Sequence, residues 1–279
     1  MHAERLIRGY GDRALVAFSG GVDSSVVLAL ASRALGPQNA EAVTAMSPSY
    51  PAGELEVAAR TARALGVVHR TIETHEVERE AYLRNDALRC FHCKAELYGA
   101  LDRIAATAGP RTAVLAGANA DDVGEFRPGL WAGERAGIRN PLLERSLGKD
   151  MTRGIARALG LAVAEKPALA CLSSRVELGI RISPELLGRI DRAENVIRSL
   201  GFDLVRVRHH GPTATIEVAS VETTRLEQHP SLGNALREIR ALGWSDVRVD
   251  RRGYRPAGAM ATEPSSPTRG DQRTHTSRR

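Results

Sequence analysis

Aromatic side chains are scarce in this 279-residue chain, at 4%, and cysteines number three. A small, odd cysteine count excludes a disulfide framework as the brace of the fold and fits a reducing compartment. No apolar run approaches the ~20 residues that cross a bilayer. The opening residues, MHAERLIRGYGDR, carry charges where a secretion signal needs an unbroken apolar stretch. A cytoplasmic protein without membrane contact is therefore expected. The net charge of +6 suits an anionic partner, but so few aromatics argue against nucleic acid as that partner.

What is present is enough apolar residue, 43%, for one large or two modest cores. Short β-type runs (ALVAFS, EAVTAM, VVHRTI, TAVLAGAN) alternate with helical ones (SSVVLALASRAL, ELEVAARTARALG, KAELYGALDRIAATAG, GKDMTRGIARALGL). That alternation predicts an α/β unit with a parallel sheet covered on both faces, over residues 1–180. From Pro184 the order becomes helix, strand, strand, helix, strand, which predicts a small α+β domain over 181–255. Residues 256–279, rich in Pro, Ser, Thr and Gly with four arginines and two acids, read as a disordered tail.

The stretch FSGGVDSS, 18–25, lies between an apolar strand run and an apolar helix run. A glycine turn opening a helix aims backbone N–H groups and the positive helix end at one point, which suits a phosphate. Gly20 and Gly21 permit close approach, and Ser19, Ser24 and Ser25 add hydroxyls. The G-x-x-x-x-G-K-[ST] pattern and the G-x-G-x-x-G spacing are both missing, which excludes a Walker A site and weakens a dinucleotide reading.

The cysteines need a separate explanation. Cys90 and Cys93 form a CFHC pair immediately before Lys94, and Cys171 stands in ALACLSSR. A redox dithiol, a zinc site completed by His92 or His69, and a buried inert Cys171 all compete with three thiolates holding an iron–sulfur cluster. Alternation puts Arg206 and Arg208 of RVRHHG on one strand face, where paired guanidinium forks suit a phosphate. Exposed salt-bridge partners remain the alternative. His209 and His210 read as structural.

SGGVDSS resembles the PP-loop of the ATP pyrophosphatase superfamily. Together with RCFHCK, GANADD followed by FRPGLWA, KPALACLSSR, and RVRHHG followed by IEV, it makes the chain similar to the LarE family from about residue 10 to 255. The resemblance implies a PP-loop sheet domain and a small C-terminal domain. It implies an ATP-dependent sulfur transferase, which adenylates the carboxylates of pyridinium-3,5-biscarboxylic acid mononucleotide and converts them to thiocarboxylates. By matching position, Ser19, Gly20, Gly21, Asp23 and Ser24 would hold pyrophosphate, with Asp23 helping to bind Mg²⁺. Ala17 and Met46 would flank the nucleotide, and Asn119, Asp121 and Asp122 would contact nucleotide or metal, against an equal reading as helix caps. Lys94 would stabilise charge at the acyl centre. Arg175, Arg206 and Arg208, with Glu194 and Glu217, would hold the substrate phosphate. Cys90, Cys93 and Cys171 fall where one branch of the family carries a [4Fe–4S] cluster fed by a sulfide donor; another branch sacrifices the sulfur of the cysteine matching Cys171. A homo-oligomer is implied as well. A PP-loop tRNA thiolase, a non-enzymatic cluster or zinc sensor, and an ammonia-using ligase are the other readings.

Overall fold

The computed structural model describes residues 2–124, 126–168 and 170–254. The expected tail at 256–279 lies outside the described residues. The first sheet contains β1 (Arg13–Ala17), β2 (Ala40–Met46), β3 (Val68–Glu73) and β4 (Thr112–Leu115), in the order β3-β2-β1-β4. Every pairing in it is parallel. This is the parallel sheet that the alternating runs predict. The helices along this stretch are α1 (His2–Tyr10), α2 (Val22–Leu35), α3 (Glu54–Ala64), α4 (Glu80–Leu83), α5 (Arg89–Ala108), α6 (Pro128–Arg135), α7 (Pro141–Glu144) and α8 (Lys149–Ala158).

Helix α2 is apolar on nearly every side, and the sequence explains why: Val26, Val27, Leu28 and Ala31 are all buried. It packs against α1, α8 and the sheet, so no face is left for water. The opposite face of the sheet is covered by α5 and α6 through Leu15, Val43, Tyr98, Leu101 and Ala132. Both faces being covered is what continuous apolar strands such as LVA demand.

The second sheet holds β5 (Val205–His210), β6 (Thr213–Val218) and β7 (Asp246–Val249), in that order. Its first pairing is antiparallel and its second parallel. Around it run α9 (Pro184–Arg198), α10 (Thr223–Glu227) and α11 (Leu232–Ala241). The sequence pattern predicts one helix between the second and third strands of this domain, but two are found. Pro230 stands between them: it has no N–H to donate and disfavours helical backbone in the residue before it. The apolar cluster under this sheet also takes in Tyr82, Leu172 and Val176, with Leu83 and Cys93 against it. Residues earlier in the chain than 181 therefore contribute to the second core.

Candidate active site

At the carboxyl end of β1 the chain turns through 18–21 into α2. Gly20 has φ +74°, and a Cβ there would lie 3.0 Å from that of Ala58, so α3 packs directly on the turn. Ser24 Oγ donates to the Gly21 carbonyl (3.1 Å) and accepts from the Ser19 N–H (3.3 Å), while Ser19 Oγ accepts from the Gly21 N–H (3.3 Å). The two hydroxyls are 3.2 Å apart. The turn is thus a cradle of short donors tied to one another. Ala17 and Met46 close neighbouring parallel strands at the same sheet end, where ligands of open α/β sheets gather.

Asp23 sits in the first turn of α2. Burial pushes its carboxyl pKa up, and Asp122 adds to this; Asn119, Lys149 and Arg153 oppose it. Asn119 Oδ1 accepts from the Asp121 N–H (3.0 Å), and Asp122 Oδ2 accepts from the Asn119 N–H (3.1 Å). This is a capping box, so these two residues do cap, and Asn119 also favours the charged form of Asp23. Asp121 accepts from the Lys149 N–H (2.7 Å) at the start of α8. Gly117, which the sequence reading passed over, is needed for close approach: a Cβ would stand 2.9 Å from the Ser24 nitrogen.

A second group comes from further along the chain. Cys90 and Cys93 occupy the first turn of α5, and Cys171 precedes the short turn Leu172–Arg175. The thiols lie near enough for mutual electrostatic influence, and Lys94 feels all three. Burial pushes the Cys93 pKa up to about 12, against the pull of Lys94. Burial alone would lower the Lys94 pKa, but Tyr98 and the thiols outweigh it and raise it. Lys94 lies 5.9 Å over the Tyr98 ring. Arg89 donates to the Ser173 carbonyl (2.9 Å) and reaches within 3.9 Å of the Cys90 sulfur. Two cations therefore face three potential thiolates.

The loop bearing Cys171 is fastened from several directions. The Leu172 N–H donates to the Ser49 carbonyl (2.8 Å), and the Tyr82 and Ser173 hydroxyls are 2.5 Å apart. Ser47 and Ser49 donate to buried Glu76, a neighbour of Cys93 that the sequence reading did not single out. Among the described residues, no group of three or more His, Cys, Asp or Glu closes around a single metal ion. His69 is instead bonded to Thr44 (2.8 Å), and His92 stands edge-on to Phe91.

The structure separates the arginines into two roles. Arg175, 1% exposed, spends Nε and Nη2 on Glu194 (2.8 and 3.3 Å). Its Nη1 serves the carbonyls of Ala170 (2.7 Å) and Cys171 (2.9 Å) and the Ser174 hydroxyl (3.1 Å). Glu194 also accepts from Arg198 and the Val207 N–H. Arg175 is thus a clasp on the cysteine loop, and its donors are occupied within the chain. Arg208 pairs with Glu217 (3.0 Å) and donates to the Ser174 carbonyl (3.0 Å). Arg206, 6% exposed, donates among the described residues to the carbonyls of Val205 and Ala168 and lies 5.5 Å from the Tyr254 ring. Burial, reinforced by Arg175, lowers its pKa to about 10. Among the described residues no ion pair joins Arg206 to a carboxylate, although Glu194 acts on it electrostatically and favours its charged form. His209 accepts from the Trp244 indole (2.9 Å), a structural role.

A family model described as asparagine synthase matches residues 12–95, from the start of β1 through the glycine turn to the second turn of α5. The pyridinium-3,5-bisthiocarboxylic acid mononucleotide synthase of Lactiplantibacillus plantarum is 34% identical over 243 residues, 87% of each chain. The chain belongs to the LarE family. LarE proteins are ATP-dependent sulfur transferases of the PP-loop superfamily, so this chain is an enzyme of that class. An uncharacterized protein of Synechocystis is 41% identical over 87% of this chain and 90% of its own. One from Methanocaldococcus jannaschii is 28% identical over 73% and 77%. No helix among the described residues is long and apolar enough to cross a membrane.

Proposed function

We propose that this LarE protein converts the carboxylates of pyridinium-3,5-biscarboxylic acid mononucleotide to thiocarboxylates for a nickel-pincer cofactor, in the cytoplasm, and uses ATP and Mg²⁺ to activate them. The observation that carries the reading is that all three thiols lie within electrostatic reach of Lys94 in a chain that also has a PP-loop turn. Residues 1–180 would activate, and 181–255 would present the acceptor.

Ser19, Gly20, Gly21 and Ser24 would bind the pyrophosphate end of ATP through N–H and hydroxyl donors, with Ala17 and Met46 against the nucleoside. Asp23, a hard oxygen donor, would hold Mg²⁺ with help from Asn119 and Asp122. The substrate phosphate would sit on Arg206, with Arg208 and Glu217 beside it. Arg175 and Glu194 would serve by fixing the Cys171 loop and not by gripping phosphate. Attack of the carboxylate on the α-phosphorus expels pyrophosphate and leaves an acyl adenylate; a sulfur nucleophile then expels AMP. Lys94 would stabilise the charge developing on the acyl oxygen.

The donor set of three thiolates, with Lys94 and Arg89 to offset its charge, fits a [4Fe–4S] cluster better than a single metal ion. Cys90, Cys93 and Cys171 would hold it, and such a cluster supplies one iron open to sulfide from a donor. The competing reading is sacrifice of the Cys171 sulfur.

The test is anaerobic reaction of iron-loaded protein with ATP, Mg²⁺, sulfide and the biscarboxylate nucleotide. One AMP and one pyrophosphate per sulfur incorporated is the expected result. No incorporation by cluster-loaded protein removes the proposal. Incorporation that stops after one event, with dehydroalanine at position 171, replaces the cluster by sacrifice.

A further inference from the structure

The phosphate turn carries no cation of its own. It lacks the lysine that ends a Walker A motif, and the donors within it are N–H and hydroxyl groups. A cation reaches it from far along the chain. Lys166 Nζ donates to the Gly20 carbonyl (3.3 Å) and is ion-paired with Glu54, with the lysine side chain 17% exposed. Glu54 begins α3, the helix whose Ala58 packs on Gly20.

The backbone that bears Lys166 is fixed. Arg153 donates to the carbonyls of Ala164 (2.6 Å) and Lys166 (2.9 Å), which leaves the four-carbon side chain as the movable part. An ammonium is a compact charge on a flexible stem and changes partners without backbone motion. Its carboxylate partner keeps about a quarter of its side chain, 23%, in contact with water.

We propose that Lys166 is the pyrophosphate-side cation of this enzyme: Glu54 and the Gly20 carbonyl hold its ammonium beside the turn, and it passes to the β- and γ-phosphate oxygens when Mg²⁺–ATP binds. The gain is greatest once the bond between α-phosphorus and bridging oxygen breaks, because the departing pyrophosphate then takes the electron pair and its negative charge. Glu54 is the competing anion that keeps the lysine in place between turnovers. The inference rests on ATP use, which the family establishes, and is independent of the proposed acceptor.

The test is calorimetric titration of the full chain with inorganic pyrophosphate plus Mg²⁺, and separately with AMP, which lacks the β and γ groups. Lys166→Met is expected to weaken pyrophosphate about 10- to 100-fold, the loss of one charge-assisted contact, and AMP less than about 2-fold. Glu54→Gln is expected to tighten pyrophosphate, and that gain should vanish in the Lys166→Met background. Wild-type pyrophosphate affinity in Lys166→Met, or equal weakening of AMP and pyrophosphate, overturns the proposal. If Lys166→Met does not fold, Glu54→Gln decides: looser or unchanged pyrophosphate binding overturns it. No biscarboxylate enters these titrations, so failure of the proposed acceptor would leave their outcome unchanged.

Discussion

The phosphate turn and the sulfur site are built on opposite principles. The turn is local: residues 17 to 24 follow one another in sequence, and much of its bonding is from backbone groups and hydroxyls among these residues. The sulfur site is assembled from side chains of α5, the 171–175 turn, α9 and the second sheet, several of them buried charges. A backbone cradle supplies most of its polarity through uncharged N–H and hydroxyl groups, with Asp23 as the one ionisable side chain in residues 17 to 24. A side-chain site costs desolvation at each charge and must be held by further charges.

The comparison can be broken most sharply at its two ends. Cys171→Ala is expected to remove sulfur transfer while ATP-dependent release of pyrophosphate stays within about 3-fold, since the proposed role of the residue follows adenylation. Parallel assays of thiocarboxylate and pyrophosphate check this; equal loss of both would mean that the two regions work as one.

Next comes Arg206→Met. Removing the proposed charged contact to phosphate should weaken substrate by about 10²-fold. The unliganded protein should nonetheless melt at a higher temperature. Burial depresses the Arg206 pKa to about 10, so at neutral pH its charged form disfavours the fold, and methionine relieves that cost. A lower melting temperature would show that Arg206 is already satisfied without an anion.

Asp23 gives a smaller, graded effect. Its pKa is raised, chiefly by burial, so acidification protonates it sooner than an ordinary carboxylate. Mg²⁺–ATP affinity should therefore fall at a higher pH than expected for a free aspartate, and Asp23→Asn should flatten that dependence. A profile unchanged in Asp23→Asn would assign the metal elsewhere.

Cys93 carries the smallest. Its pKa is raised by burial from 9.0 to about 12, so the metal-free fold has its full contribution below pH 9 and loses it as pH rises toward 12. Alkylation of Cys93 should lag that of exposed Cys90 throughout the alkaline range. Equal rates would place Cys93 in water.

The same contrast explains what sequence made legible. The parallel sheet and the glycine turn could be read because apolar runs and SGGVDSS are contiguous signals, and α2 buries the residues that its pattern marks. The Lys166–Glu54 pair spans 112 positions, and no local pattern joins them. Arg175 was expected among phosphate ligands because a residue type does not reveal whether its donors are already spent; in the fold Glu194 and the loop carbonyls take them. Pro230 divides α10 from α11 although apolar periodicity continues on either side of it.

The central claim is that ATP activation at the turn is coupled to sulfur delivered at Cys171 without consuming that residue. Its most direct test is mass spectrometry of the Cys171 peptide after many equivalents of thiocarboxylate have formed from added sulfide. An intact cysteine with product in large excess over enzyme is the predicted result. Dehydroalanine at position 171, with product no greater than enzyme, would contradict it.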